Sequence, residues 1–445
     1  MTTIPNRLPL LRRSFFLAGS LSATIWSLLQ ASPAAAAEMA MTKSDGDTAW
    51  ILTASALVLF MTLPGLALFY GGLVRARNVL SVLMHCFVIC CAVSVLWALC
   101  GYSLAFSQGT PWLGGLANVL LRNMAAVRAD TTLPESVFAL FQMTFAVITP
   151  ALIIGAFPER VSFGFVTLFS ALWLMIVYVP AAHWIWGGGW LAERGTLDFA
   201  GGIVVHTTAR LSALVTAMMI GKRRGFPNHL VPPHSPGMTM TGAGMLWVGW
   251  YGFNGGSALA ASAGAGSAIL ATHLAASMAA LVWMTLEWLK AGKPTSIGIV
   301  TGAVAGLATI TPASGYVGPG GALAIGLCGG FVCFYATLFI KQVAKIDDTL
   351  DVFAVHGVGG MLGSLLVAGF ALPELGGVGL AQGVDWKHQL ATQAIAVGSV
   401  ALWSVIATII LVKVLGAMLP LRVPGEAEYE GLDLSTHGER AYELT

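Results

Sequence analysis

Asp198-Phe-Ala-Gly-Gly-Ile-Val-Val-His206 sets a histidine in an apolar, glycine-dotted run behind an aspartate. Asp351-Val-Phe-Ala-Val-His356-Gly357 does the same 150 residues later. An ionisable residue inside a membrane-length segment is costly and marks a pathway. Two of them in similar surroundings predict two copies of one half-fold with a shared site between them.

Composition supports a membrane setting. Charged residues make up 9% of the chain, against roughly 25% in soluble proteins. Windows of about 20 apolar residues follow one another, each long enough to cross a bilayer as a helix. Strands of a membrane barrel would be half as long and alternate. The expected fold is therefore an all-α membrane protein. It has eleven transmembrane helices after a cleaved signal peptide, arranged as two inverted five-helix repeats plus one extra helix. The spans fall near 49–73, 79–106, 137–157, 163–188, 201–221, 239–260, 266–289, 296–313, 318–340, 349–371 and 389–419. The repeats cover about 49–221 and 239–371, and helix 11 about 389–419. A tail over 420–445 completes the chain.

Charge placement sets the topology. Basic residues gather in alternate loops: Arg75 and Arg77, Arg160, Lys222 to Arg224, Lys290 and Lys293, Lys341 and Lys345. The positive-inside rule makes those loops cytoplasmic, the mature N-terminus external and the C-terminus internal. A bacterial inner membrane is the expected location, with lipid as the surrounding partner. The net charge of +2 points to no nucleic acid.

Residues 1–37 read as a signal peptide. Arg7, Arg12 and Arg13 precede a short apolar run, then small residues up to Ala37. The mature chain then starts at 38. The six cysteines lie in apolar windows and form no Cys-x-x-Cys pair, so they read as small buried hydrophobes. No metal or other cofactor and no enzymatic activity is expected. His206 and His356 lack a third ligand.

The repeat also shows in Gly65-Leu-Ala-Leu-Phe-Tyr-Gly-Gly72 of span 1 and Gly249-Trp-Tyr-Gly-Phe-Asn-Gly-Gly256 of span 6. Spans 5 and 10 run in opposite directions, so an inverted repeat is expected, with a site near the midplane. A helix from Asp198 would carry His206 about 12 Å deep, and one from Asp351 would carry His356 about 8 Å deep. The two imidazoles then meet. Asp198 and Asp351 are read as structural caps on the helix starts. Two neutral imidazoles can share one proton, donor to acceptor. At the outer end the topology gathers Phe141, Phe145, Trp186, Phe253 and Ser257. Aromatic faces attract a small cation, and a hydroxyl can accept a hydrogen bond from it.

In these stretches the chain resembles the ammonium transporter family (the Amt/Mep/Rh superfamily), over essentially the whole mature chain. The resemblance rests on Gly65-Leu-Ala-Leu-Phe-Tyr-Gly-Gly-Leu73, Phe141-Gln-x-x-Phe145-Ala-x-Ile-Thr149 and Ala182-His-x-x-Trp186-Gly-Gly-Gly189 in the first half. It continues in Gly249-Trp-x-Gly-Phe253-Asn-x-Gly-Ser257, Thr311-Pro-Ala-x-Gly-Tyr316 and the two histidine runs. It implies Phe141, Trp186 and Ser257 as an outer ammonium site and Phe145 with Phe253 as a stacked gate. It implies His206, His356 and Trp250 as the pore. It also implies a homotrimer that carries ammonium and methylammonium. The tail, with Glu430-Gly-Leu-Asp433 and His437-Gly-Glu439, resembles the cytoplasmic tail of bacterial members, on whose inner face a PII-type signalling protein docks.

One position departs from the family. Small residues are usual where this chain has Arg210, four residues past His206 and so on the same helix face. A permanent guanidinium there either turns into a helix interface or alters the pore. The main expectation is a transporter that imports NH4+ or NH3 through a twin-histidine pore. The alternatives are a neutral-gas or water channel and an ammonium sensor of the same fold.

Overall fold

In the computed structural model, residues 43–228 and 232–442 are described, and the signal peptide expected at 1–37 lies outside them. Eleven helical segments follow one another. They are α1 (Asp45–Leu73), α2 (Ala76–Phe106), α3 (Glu135–Ala156), α4 (Phe163–Glu193) and α5 (Gly202–Ile220). Then come α6 (Pro236–Gly256) and α7 (Ala263–Ala291). After them lie α8 (Ser296–Ile310), α9 (Pro319–Val343), α10 (Phe353–Phe370) and α11 (Trp386–Met418). Two short helices, α12 (Gly425–Glu430) and α13 (Leu432–His437), form the tail.

Nine of these are long and apolar enough to cross a membrane, among the described residues. The exceptions are α8, which has only 15 residues, and α6, which is long enough but rich in glycine and threonine. Among the described residues there are isolated bridges but no strands. The fold is all-helical.

Small residues set the packing, as expected where lipid is the solvent. A Cβ on Gly242 or Gly249 of α6 would clash with Phe69 or Met61 of α1. The first helix of each half therefore packs backbone to backbone. The α5–α10 seam works the same way. A Cβ on Gly360 would lie 2.6 Å from the Cβ of His206.

The histidines do not sit in ordinary α-helix. Gly202–Thr207 and Phe353–Gly357 are π-helical turns, which frequently mark functional sites. This alters the depth expected for both. A helix running from Asp198 was predicted, but α5 begins at Gly202, after a left-handed Gly201 with φ 108°. Asp198 therefore lies in a loop that folds back over the helix start. Asp351 likewise precedes its helix, with a left-handed φ of 58°.

An ion-pair layer closes the end of the molecule that carries the tail. Arg160 is fully buried and donates to the Thr349 hydroxyl at 2.7 Å, the Gly221 carbonyl at 2.8 Å and the Asp347 carbonyl at 2.9 Å. Arg223 pairs with Asp347 at 2.9 Å and Arg75 with Glu159 at 3.0 Å. The tail joins this layer through Arg422 and Glu428. Asp433 accepts from the backbone N–H groups of Ser81 at 2.8 Å and Leu80 at 3.1 Å, so it stabilises the start of α2.

Candidate functional site

Four rings stand in file between α3, α5, α6 and α10. The Phe145 and Phe253 rings stack at 4.2 Å with 24° between their planes. Phe253 lies 6.5 Å from the His206 ring, and His206 lies 5.6 Å from His356. Trp250 flanks the file, stacked on His206 at 5.6 Å and 6.3 Å from His356. Its Nε1 donates to the Thr311 hydroxyl at 2.8 Å, which fixes the indole plane. Both histidines are buried, yet neither nitrogen of His206 nor Nδ1 of His356 has a protein partner. Buried polar atoms are rarely orphaned, and each exception asks for an explanation. Here three such nitrogens lie on two neighbouring rings.

A cavity of about 270 Å³ opens at the Phe145 end, lined by Phe138, Gln142, Phe145, Trp186, Phe199 and Ser257 among others. The Trp186 Nε1 donates to the Asp198 carbonyl at 2.8 Å, which holds the indole over the cavity. The Ser257 hydroxyl donates to the Phe253 carbonyl at 2.8 Å. Its proton is thus occupied and its lone pairs remain free to accept. Gln142 Oε1 is buried without a partner. Phe141, predicted as part of this site, is absent from the cavity wall. Its ring packs edge-on against Phe145 at 5.0 Å and fills the space under Gly256. Phe138 and Gln142 were not singled out from the sequence. Their signal was available: Gln142 is a polar residue inside an apolar helix, and Phe138 lies one turn before Phe141.

A second cavity, of about 350 Å³, reaches His356 from the other end, with Val355, Thr301, Asp351, Lys341 and Arg223 in its walls. The predicted cap at Asp351 needs correction. The carboxylate that accepts from the start of α10 belongs to Asp348, whose Oδ2 takes the Phe353 N–H at 2.7 Å. Asp351 pairs instead with Lys341 at 2.6 Å. Asp198 accepts from Ile203 and Val204 at 3.0 and 2.9 Å. Asp198 and Asp348 each precede their histidine by eight residues, so they are the true counterparts. The nearer aspartate misled because its left-handed backbone aims it away from the helix. Burial pushes the Asp198 carboxyl up to about 6, against the opposing pull of its backbone donors. Burial, reinforced by the Asp351 charge, pushes Asp348 up to about 7.

Arg210 is fully buried on α5. Its Nη1 donates to the Leu152 carbonyl at 2.7 Å and the Tyr70 hydroxyl at 3.2 Å. Of the two outcomes expected for it, the guanidinium turns into a helix interface. Among the described residues no group of three His, Cys, Asp or Glu side chains could hold a metal.

Comparison with known proteins places the chain in a family. The ammonium transporter family model matches residues 49–442. The chain is 47% identical to the ammonium transporter Amt1 of Archaeoglobus fulgidus, over 90% of this chain and 100% of that one. It is 44% identical to an ammonium transporter of Bacillus subtilis, over 89% and 98%. Among solved structures it is similar to a sensor Amt protein, with a TM-score of 0.83, 31% identity and coverage of 88% and 98%. It is also similar to Candida albicans Mep2, with a TM-score of 0.80, 36% identity and coverage of 86% and 88%. A match over nearly the full length, on a fold that sets two histidines behind stacked aromatic rings, makes this chain a member of the ammonium transporter family.

Proposed function

We propose that the protein moves ammonium nitrogen across a membrane, along the file Phe145, Phe253, His206, His356. The observation that carries this is the pair of buried imidazoles with unpartnered nitrogens, set between two cavities. Ammonium in the first cavity meets Trp186 and the free lone pairs of Ser257. Attraction to an aromatic face is worth roughly 2 kcal/mol when desolvated. Past the stacked phenyl rings water is excluded. An N–H species can hydrogen-bond to the imidazoles there, and an alkali ion cannot.

In this reading α6 and α8 also cross the membrane, giving eleven spans in two inverted repeats plus α11. The first cavity is external and the second cytoplasmic, which follows from the basic loops beside the second. A homotrimer in the inner membrane is the expected assembly. The docked tail offers a cytoplasmic surface suited to a PII-type protein. Recovery of such a partner should fall when the chain is cut near Pro420.

The test is uptake of labelled methylammonium by proteoliposomes, competed by ammonium and then by potassium. Ammonium should compete and potassium should not. Equal competition by both would refute the assignment.

A further inference from the structure

The helix seam that brings the histidines together also carries a charge. One turn past the contact between His206 and Gly360, a Cβ on Gly357 would lie 2.8 Å from the Cβ of Arg210. Gly357 directly follows His356, so the Arg210 stem is pressed against the backbone of the second histidine. Its Cα lies about 6 Å further along α5 than that of His206 by helix rise. Both hydrogen-bond partners of the guanidinium, the Leu152 carbonyl and the Tyr70 hydroxyl, are neutral. Nε and Nη2 have no protein partner. The neighbouring carboxylates are committed elsewhere: Asp347 to Arg223, and Asp351 to Lys341. Asp348 is the remaining acid. Burial raises it to about 7, so at neutral pH it supplies only part of a counter-charge.

Arginine cannot shed its proton in a dry site as lysine can. A unit charge about 6–10 Å away disfavours a second cation by about ten- to a hundred-fold at an effective dielectric near 20. The effect acts through space, so the guanidinium need not enter the lumen.

We propose that Arg210 is a specificity-determining residue: its fixed charge beside the histidine pair turns cations back and lets neutral ammonia through. This rests on the transport reading above. Ammonium gives its proton to water in the first cavity. Ammonia crosses and takes a proton from water beyond the second, so no net charge moves.

The experiment uses proteoliposomes of the full-length protein under an inward ammonium gradient. Internal pH is followed with an entrapped dye, and charge by current on a supported membrane. The wild type should alkalinise the lumen while moving at least ten-fold less charge than one per ammonia. Arg210→Gly and Arg210→Met, which respectively remove and keep bulk but both lose the charge, should gain current. Wild-type current that matches ammonia uptake one for one would overturn the proposal without any variant. Electroneutral uptake in the wild type and in both folded variants would also overturn it, because the arginine would then be immaterial. Absence of both signals would instead overturn the transport reading itself.

Discussion

The Asp198–His206 and Asp348–His356 segments are the same device built twice. Each places an aspartate eight residues before a histidine, and each carboxylate accepts from the N–H five residues on. Each histidine lies in a π-helical turn. Their surroundings differ. The first segment ties its loop to Trp186 through the Asp198 carbonyl. The second carries an extra aspartate, Asp351, bonded to Lys341 in the wall of the second cavity. Only the first has an arginine one turn on. The two segments hold the imidazoles 5.6 Å apart with 38° between their planes. What each half adds around them makes one mouth aromatic and the other charged.

The strongest way to break this comparison is through the two aspartates. A buried acid with a raised pKa is more stable protonated, so its contribution is present below the unfolded value and lost as pH rises through the folded one. The windows differ. Asp198 loses its contribution between 3.8 and about 6, and Asp348 between 3.8 and about 7. At 1.36 kcal/mol per pH unit this is roughly 4 kcal/mol for Asp348 and roughly 3 kcal/mol for Asp198. Melting of the detergent-solubilised protein from pH 4 to 8 should show a shallower fall in Asp348→Asn up to pH 7, and in Asp198→Asn only up to pH 6. Identical profiles for the two variants would mean that the Asp351 charge does not set Asp348 apart from Asp198.

Next comes the imidazole pair. Removing one ring takes away nitrogens to which an N–H species could hydrogen-bond in a dry site, at a cost of about 1–3 kcal/mol. His206→Ala and His356→Ala should each cut methylammonium flux about ten- to hundred-fold. The double variant should be little worse, because contacting residues are not additive. Full additivity would show that the rings act separately.

A smaller effect is expected at the aromatic mouth. Trp186→Leu removes a cation–π face worth about 1–2 kcal/mol and also the bond to the Asp198 carbonyl. Half-saturation for methylammonium should rise about ten-fold. Unchanged kinetics would place recognition elsewhere, with Gln142 the first residue to test.

The charged mouth should give the smallest change. Lys341 is 30% exposed, and such pairs contribute about 0–1 kcal/mol. Lys341→Met should shift melting by no more than a few degrees and leave half-saturation as it was. A large loss of affinity would assign the second cavity a binding role that the first was expected to hold alone.

Much was legible without coordinates. Low charge and successive apolar windows determined a helical membrane chain, because the bilayer leaves few options for an unpaired backbone. Two histidines in apolar runs marked where the proposed path would lie, because such residues are too costly to keep idle. The family resemblance pointed to the stacked pair Phe145 and Phe253 and to the flanking Trp250. Tertiary structure alone decided three things. It moved the cap from Asp351 to Asp348, because a left-handed backbone at Asp351 overrides sequence proximity. It took Phe141 off the cavity wall and put Gln142 and Phe138 there, because which face of α3 meets the cavity depends on its neighbours. It turned the Arg210 guanidinium to the Leu152 carbonyl and Tyr70, because the partners of a buried charge come from helices distant in the chain. Periodicity and cost are local and can be read along a sequence. The orientation of a side chain within a crowded helix bundle is set by non-local contacts and cannot.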